Sequence, residues 1–375
     1  MFFHVASPRG VKYFTNLVPP RSMEYLGLKR SYLLAAGVLA MFSSCLSPVG
    51  PEFNTGVASL APVEAGFFQS EILPKADGKV ECHAASIAER PDGTLLAAWY
   101  AYSQHGNELD GSAIYTSLRG KDDWGIAELF RDSPQGDGNP VLYAEGWNMW
   151  LFSAVVPGGW STSHIEFQMT SEDGTWQAPF ILDGTFGSNV KSPPIRLMGG
   201  ELLLPAYDDL MSRSIFYASK DGTTWDRRSV LATGIASDNI QPAIVQLDNG
   251  DILAVMRDAG GRSLWVSKSS DAGYSWSKPS QTGIPNPASA VSFIKLSSGH
   301  LLLVYNNATE RVRMSVSVSP DGGASWTPPR IIEEAESSYP FAIQTSDGMI
   351  HIVYTTADRQ SIAHVWFNES WAVGG

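Results

Sequence analysis

The stretch Ser319-Pro-Asp-Gly-Gly-Ala-Ser-Trp326 decides the fold because the chain repeats it. Ser269-Ser-Asp-Ala-Gly-Tyr-Ser-Trp276 has the same form, Ser-x-Asp-x-Gly-x-Ser-Trp. Shortened copies stand at Ser219-Lys-Asp-Gly-Thr-Thr-Trp225 and Ser171-Glu-Asp-Gly-Thr-Trp176, and a worn one ends at Trp124. The five tryptophans are 52, 49, 51 and 50 residues apart. A period near 50 marks a radial or stacked repeat.

Each residue type in the box has a local physical task. The Asp accepts hydrogen bonds from nearby backbone N–H groups, the Gly permits a positive-φ turn, and the Trp buries a large apolar face. This predicts a hairpin turn pinned to the sheet behind it, a structural device rather than a catalytic motif.

A second repeat lies between the boxes: a turn glycine followed by an apolar strand. It reads Asp92-Gly93-Thr-Leu-Leu-Ala-Ala-Trp99, Glu145-Gly146 leading to Met149–Phe152, and Gly200-Glu-Leu-Leu-Leu204. Asn249-Gly250-Asp-Ile-Leu-Ala-Val255, Ser298-Gly299-His-Leu-Leu-Leu-Val304 and Asp347-Gly348-Met-Ile-His-Ile-Val353 follow. A short Gly-containing turn between apolar runs is a strong hairpin signal. Strand, turn, strand, loop, strand, box, strand makes one four-stranded antiparallel blade. Six such units predict an all-β, six-bladed β-propeller, closed so that long sheet edges are not exposed. The sixth unit lacks an outer strand after Ser361–Trp366, and the N-terminal stretch Phe67–Ile72 is expected to supply it. Residues 66–371 then form the propeller and 46–65 a tether.

The first 45 residues differ in composition. Lys29 and Arg30 precede the apolar run Ser31–Phe42, with Ser43-Ser44-Cys45 after it. A basic region, a short apolar core and small residues predict an export signal, and the run is too short for a spanning helix. Small residues before a cysteine predict lipidation at Cys45 and attachment to the cell envelope, with secretion as the alternative. Met23 would give a signal of ordinary length. The leader holds five of the 26 Lys and Arg but one of the 38 Asp and Glu, so the remainder is more acidic than the whole chain at −12. No basic stripe points to nucleic acid. Cys82 is the one cysteine beyond Cys45, which excludes an internal disulfide; beside His83 it reads as a buried thiol rather than a metal site. No metal cluster, nucleotide loop or other cofactor signature occurs, and a monomer is expected.

The repeat phases the remaining residues. Entry points of the innermost strands ring one mouth of the propeller, and the boxes face the other way. In order the entries are Glu81-Cys-His83, Gly138-Asn139-Pro, Lys191-Ser-Pro, Asn239-Ile-Gln241-Pro, Asn286-Pro-Ala-Ser289 and Ser338-Tyr339-Pro. All are polar and none are alike. Asp238 precedes the fourth, and loops on the same side add Asp110, Tyr207, Asp208, Arg257 and Arg311. Arg257 directly follows an apolar strand, a costly place for a cation without a partner. Two arginines over a mouth suit a carboxylate, which each planar fork can bind with paired charge-assisted bonds. An anionic glycan fits better than a neutral one.

The boxes, the hairpins and the stretches Cys82–Glu89, Leu302–Asn306 with Arg311, and Tyr339–Gln344 resemble the bacterial sialidases and sialidase-like proteins with BNR/Asp-box repeats. The likeness covers about residues 67–368. It implies an exo-acting glycosidase that removes a terminal carboxylate-bearing sugar. Tyr339 resembles the family's nucleophile, Asp110 its acid/base, and Arg257 and Arg311 two of its three carboxylate-binding arginines. A tyrosine nucleophile is a recognised exception among glycosidases, and a neutral phenol needs a base to act. Two positions depart from the family. His83 stands where the first arginine is expected, and Gln241 where the glutamate assisting the tyrosine is expected. Either Asp238 or Glu81 substitutes as base, or the mechanism differs. His83, able to exchange protons near neutral pH, opens a second reading: a uronate-directed lyase or altered hydrolase in which His83 takes a proton and Tyr339 gives one. A third is a glycan-binding propeller without catalysis.

Overall fold

A computed structural model describes residues 56–109, 111–234 and 237–374. The leader, Cys45 and Asp110 lie outside the described residues. The fold is an all-β propeller. The first blade runs from its innermost strand outward as Glu81–Glu89, Leu95–Tyr102, Ala113–Arg119 and Glu128–Arg131, each pair antiparallel. Asp137–Glu145, Asn148–Val155, His164–Met169 and Phe180–Asp183 repeat the pattern. Ser292–Lys295, Leu301–Asn306, Met314–Ser319 and Arg330–Glu333 form a third separate sheet. The fourth orders Ser337–Gln344, Ile350–Thr356, Ser361–Phe367 and, beside the last, Phe68–Ile72. Between the second and third separate sheets lies a nine-stranded sheet built from Ser188–Leu231 and Asn239–Pro285. Its two halves are joined at one parallel residue pair, Arg213 with Asn239.

The apolar runs of the hairpin repeat become second strands, and these are buried almost throughout: Leu202–Asp208, Leu301–Asn306 and Ile350–Thr356 have no exposed residue. Burial on both sides explains why they read as continuous hydrophobic runs rather than as alternation.

The boxes do what their residue types dictate, with one difference. Asp321 Oδ1 accepts from Ser325 N at 2.8 Å, and Ser319 Oγ accepts from Gly323 N at 2.8 Å. Asp271 and Ser269 repeat both bonds. The tryptophans, however, reach beyond the sheet behind them. Trp276 stacks on Phe216 of the preceding repeat, 4.3 Å between centroids. Trp225 meets Phe152 edge-on at 5.4 Å, Trp176 meets Phe130 at 5.2 Å, and Trp124 meets His364 at 5.4 Å. The box therefore fastens one blade to its neighbour, a role that sequence-local reasoning could not supply.

The described part of the expected tether is also engaged. Gly56–Val57 pairs in parallel with Ser325–Trp326, and the backbone N–H groups of Val63 and Glu64 donate to Ser370 Oγ. Its backbone groups find sheet and side-chain partners that a free linker would leave to water.

Candidate functional site

The innermost strands are irregular in a repeated way, and that irregularity builds the site. Pairing with the second strand slips between His83 and Ser86, Gly138 and Val141, Ile240 and Ala243, and Ser338 and Phe341. Each slip is a β-bulge whose first unpaired residue has positive φ: Ala84 at 50°, Asn139 at 47°, Gln241 at 52° and Tyr339 at 57°. A bulge re-aims a side chain. Bulky residues at positive φ cost free energy and cluster where function over-determines the backbone. Asn139, Gln241 and Tyr339 are thus equivalent positions of the repeat. The equivalent in the first blade is Ala84, so His83 sits one residue out of phase.

Tyr339 is the centre. Its hydroxyl oxygen accepts from Arg257 Nη1 at 2.7 Å and from Gln241 Nε2 at 3.4 Å. Arg311 lies 5.2 Å from the ring centroid, and the His83 ring is 4.3 Å away. Arg257 Nη1 also donates to Gln241 Oε1 at 3.1 Å, while its Nε is buried without a partner among the described residues. Arg311 is anchored by donating to Ala288 O at 2.8 Å. Burial raises the Tyr339 phenol, but the charges of Arg257 and Arg311 outweigh it and hold the group below the ordinary range. Neighbouring Tyr207 and Tyr100 also feel an arginine each, Arg257 and Arg359, but burial outweighs these and pushes both up.

His83 Nδ1 and Thr355 Oγ1 are 2.9 Å apart. Burial first, then Arg359, Arg311, Lys191 and Arg257, depress its pKa well below the usual value, so the imidazole is neutral. Asn139 Nδ2 donates to Asn189 Oδ1 at 3.0 Å and Tyr207 Oη at 3.2 Å, and Gln241 Nε2 reaches the same hydroxyl at 3.3 Å. This polar chain runs from Asn189 to Tyr339. Lys191 is buried under it, its Nζ 6.0 Å from the Tyr339 ring and 5.3 Å from the Phe341 ring. Its single hydrogen bond among the described residues is to Ala85 O at 3.5 Å, and burial lowers its amine to about 7. On Lys191's other side the later halves of the innermost strands line an axial cavity of about 640 Å³, walled by Ile87, Leu142, Val245, Phe293 and Phe341.

Several expected residues are elsewhere. Asp208 holds its own turn, bonded to Met211 N and Arg213. Asp238 is half-exposed and pairs with Arg262. Glu81 faces His105 and Gly106 N. Asp238 and Glu81 are thus both bonded to groups other than Tyr339. Asp258 pairs with Arg262, leaving Arg257 to the pocket.

Sequence reasoning missed two charged groups. Glu108 Oε1 accepts from Trp160 Nε1 at 2.7 Å, and its Oε2 from Arg359 Nη1 at 2.5 Å and Tyr100 Oη at 3.2 Å. Arg359 also donates to Tyr102 Oη at 3.2 Å. It lies at positive φ in the loop after Ile350–Thr356. That loop is the last blade's counterpart of the ones carrying Arg257 and Arg311, and this position was the available signal.

The chain matches known proteins in sequence and in fold. The family model described as a BNR repeat-like domain matches residues 93–352. A sialidase of Bacteroides fragilis is 22% identical over 272 residues, 62% of this chain and 48% of its own length. A sialidase of Micromonospora viridifaciens is 26% identical over 57% of this chain and 34% of its own length. The chain thus spans about half, or less, of the curated relatives it matches. Among solved structures, the intramolecular trans-sialidase from Ruminococcus gnavus with oseltamivir carboxylate superimposes with a TM-score of 0.70. It shares 14% identity, covering 82% of this chain and 98% of that one.

Proposed function

The chain belongs to the BNR repeat-like domain family and is sialidase-like, and from that premise we propose that it is an exo-acting glycoside hydrolase removing a terminal carboxylate-bearing sugar, sialic acid or a close analogue. The observation that carries this reading is Tyr339 under two guanidiniums, with Arg257 Nε unpartnered among the described residues. Arg257 and Arg311 hold the substrate carboxylate through charge-assisted bonds. Tyr339 Oη attacks the anomeric carbon, and the carboxyl group of Asp110, from the first-blade loop, gives its proton to the leaving oxygen. Arg359 supplies positive charge beside His83, where the family's first arginine is missing.

We count the nine-stranded sheet as two blades, because a single residue pair joins its halves. The ring then has six blades, with Phe68–Ile72 completing the last. A recurrent latch supports this count: the turn of one hairpin binds the end of the next innermost strand. Met198 N donates to Gln246 Oε1, Ser297 N to Gln344 Oε1, and Ser346 N to Glu89 Oε2. The third of these joins the last hairpin to the first blade.

The test is release of fluorophore from a terminal α-sialoside by the purified chain, against a Tyr339→Phe control. Release above the control is expected; equal rates would remove the sialidase version. The neutral imidazole of His83 against Tyr339 supports a second reading, a uronate lyase with His83 as base. New near-ultraviolet absorbance from uronate polysaccharides, lost in His83→Ala, is its signature.

A further inference from the structure

We propose that Tyr339 rests as a phenolate held by the donors around it, and that Gln241 stands in place of a carboxylate base because a donor is needed there. Its use as a nucleophile rests on the glycosidase reading; its charge state does not.

The geometry is one-sided. Tyr339 Oη receives Arg257 Nη1 and Gln241 Nε2, and no group among the described residues accepts a bond from it. The amide orientation of Gln241 is fixed by its neighbours: Oε1 takes Arg257 Nη1, which leaves Nε2 facing the hydroxyls of Tyr339 and Tyr207. A glutamate at 241 would place an acceptor and a negative charge at that point. A neutral phenol would keep a buried O–H without an acceptor among the described residues, whereas a phenolate is matched by two donors.

The charged surroundings agree. Arg257 and Arg311 face the oxygen and ring, Lys191 lies beneath, and His83 is neutral. Tyr100 and Tyr207 are phenols pushed up by burial, and Asp209 is a carboxyl also raised by burial. Among the described residues Glu108 is the carboxylate that opposes the phenolate, and it is engaged by Arg359, Tyr100 and Trp160.

The consequence for turnover is a different proton count. The phenolate oxygen bonds to the anomeric carbon as the glycosidic C–O bond breaks, and the leaving oxygen takes a proton from the first-loop carboxyl group. Water then attacks the anomeric carbon and gives its proton to that carboxylate. The carbon–tyrosine bond breaks and the phenolate returns. No proton has to leave Tyr339.

The experiment is a spectrophotometric pH titration of the tyrosinate band, comparing the full chain with Tyr339→Phe and Gln241→Glu. Burial raises Tyr102, Tyr143, Tyr217 and Tyr354 as well as Tyr100 and Tyr207, so these stay silent in the window of interest. We expect one tyrosinate titrating below the ordinary phenol value of about 10. It should vanish in Tyr339→Phe and move up by about one pH unit or more in Gln241→Glu. Superimposable curves for the chain and both variants below that value overturn the inference. A phenolate in a chain that cleaves no sialoside leaves the inference standing and removes the glycosidase reading. Cleavage without a phenolate does the reverse.

Discussion

At the scale of single residues, the site gathers cations around one phenol, Lys191 buried and Arg257 and Arg311 half-buried. Lys191 is the plainest case. A fully buried ammonium is costly, and this one has two aromatic rings and a long carbonyl contact where a carboxylate would ordinarily be. Its amine, lowered to about 7 from 10.5, makes the unfolded chain the better proton binder between those values. The stability cost is therefore full below about pH 7 and fades as pH rises toward 10.5. Lys191→Met, a replacement of similar volume, is expected to stabilise the protein by about 1–3 kcal/mol at pH 6, with the gain shrinking in alkali. Urea denaturation at pH 6 and pH 9 measures both; an unchanged or lower midpoint at pH 6 would show that the amine is satisfied. A residue whose removal stabilises the fold while lowering turnover is one kept for the site.

At the scale of elements, the Asp box and the inner-strand bulge divide the work. The box sets how closely blades approach. Gly273 has φ +85°, and a Cβ there would come within 2.9 Å of Leu203 Cδ2 in the preceding repeat. Gly222 is similar, meeting Trp150 at 2.8 Å. Glycine is required by both the turn and the contact. Gly273→Ala should cost about 1–3 kcal/mol and lower the melting temperature by a few degrees, leaving the kinetics of any measured turnover unchanged. Calorimetry beside the activity assay checks this, and a neutral result would mean that the boxes are only loosely packed. The bulge works at the other end of the blade, turning Asn139, Gln241 and Tyr339 off the sheet and toward one pocket.

At the scale of the whole molecule, the N- and C-terminal parts of the chain meet around a buried polar row. Glu71, on Phe68–Ile72, accepts from Arg119 of the first blade at 2.6 Å and lies 2.8 Å from His364 Nδ1 of the last. His364 Nε2 and His351 Nδ1 are 2.9 Å apart, with Trp366 stacked on His364 at 5.0 Å. Burial, and the neighbouring His364, depress His351 from 6.5 to about 3, and burial also lowers His364. Burial raises Glu71, but its bonds to His364 and Arg119 outweigh this and bring it to about 2. All three groups are depressed, so each contributes stability that is present above its unfolded value and is lost as pH falls. For His351 the window runs from about 6.5 down to about 3, with a limiting slope of about 1.4 kcal/mol per pH unit. Thermal unfolding at pH 7 and pH 4 should show a marked drop, reduced in a His351→Gln variant. A melting temperature independent of pH across that window would sink the account.

The sequence determined the repeat. Boxes and hairpins near 50-residue spacing report local turn chemistry, and local chemistry is legible without a partner. The phase they set was enough to place Tyr339, Gln241, Arg257, Arg311, Asn139, Tyr207 and Lys191 on one side, and the fold brings these together. Asp208 and Asp238 carry the same phase yet turn to Arg213 and Arg262, because a carboxylate's direction follows its nearest cation rather than its place in a repeat. Tertiary structure alone decided the rest. Arg359 and Glu108 are 251 residues apart and come together only when the last blade lies against the first. The charge state of Tyr339 likewise belongs to no segment, since it answers to Arg257 and Arg311, which come from separate blades.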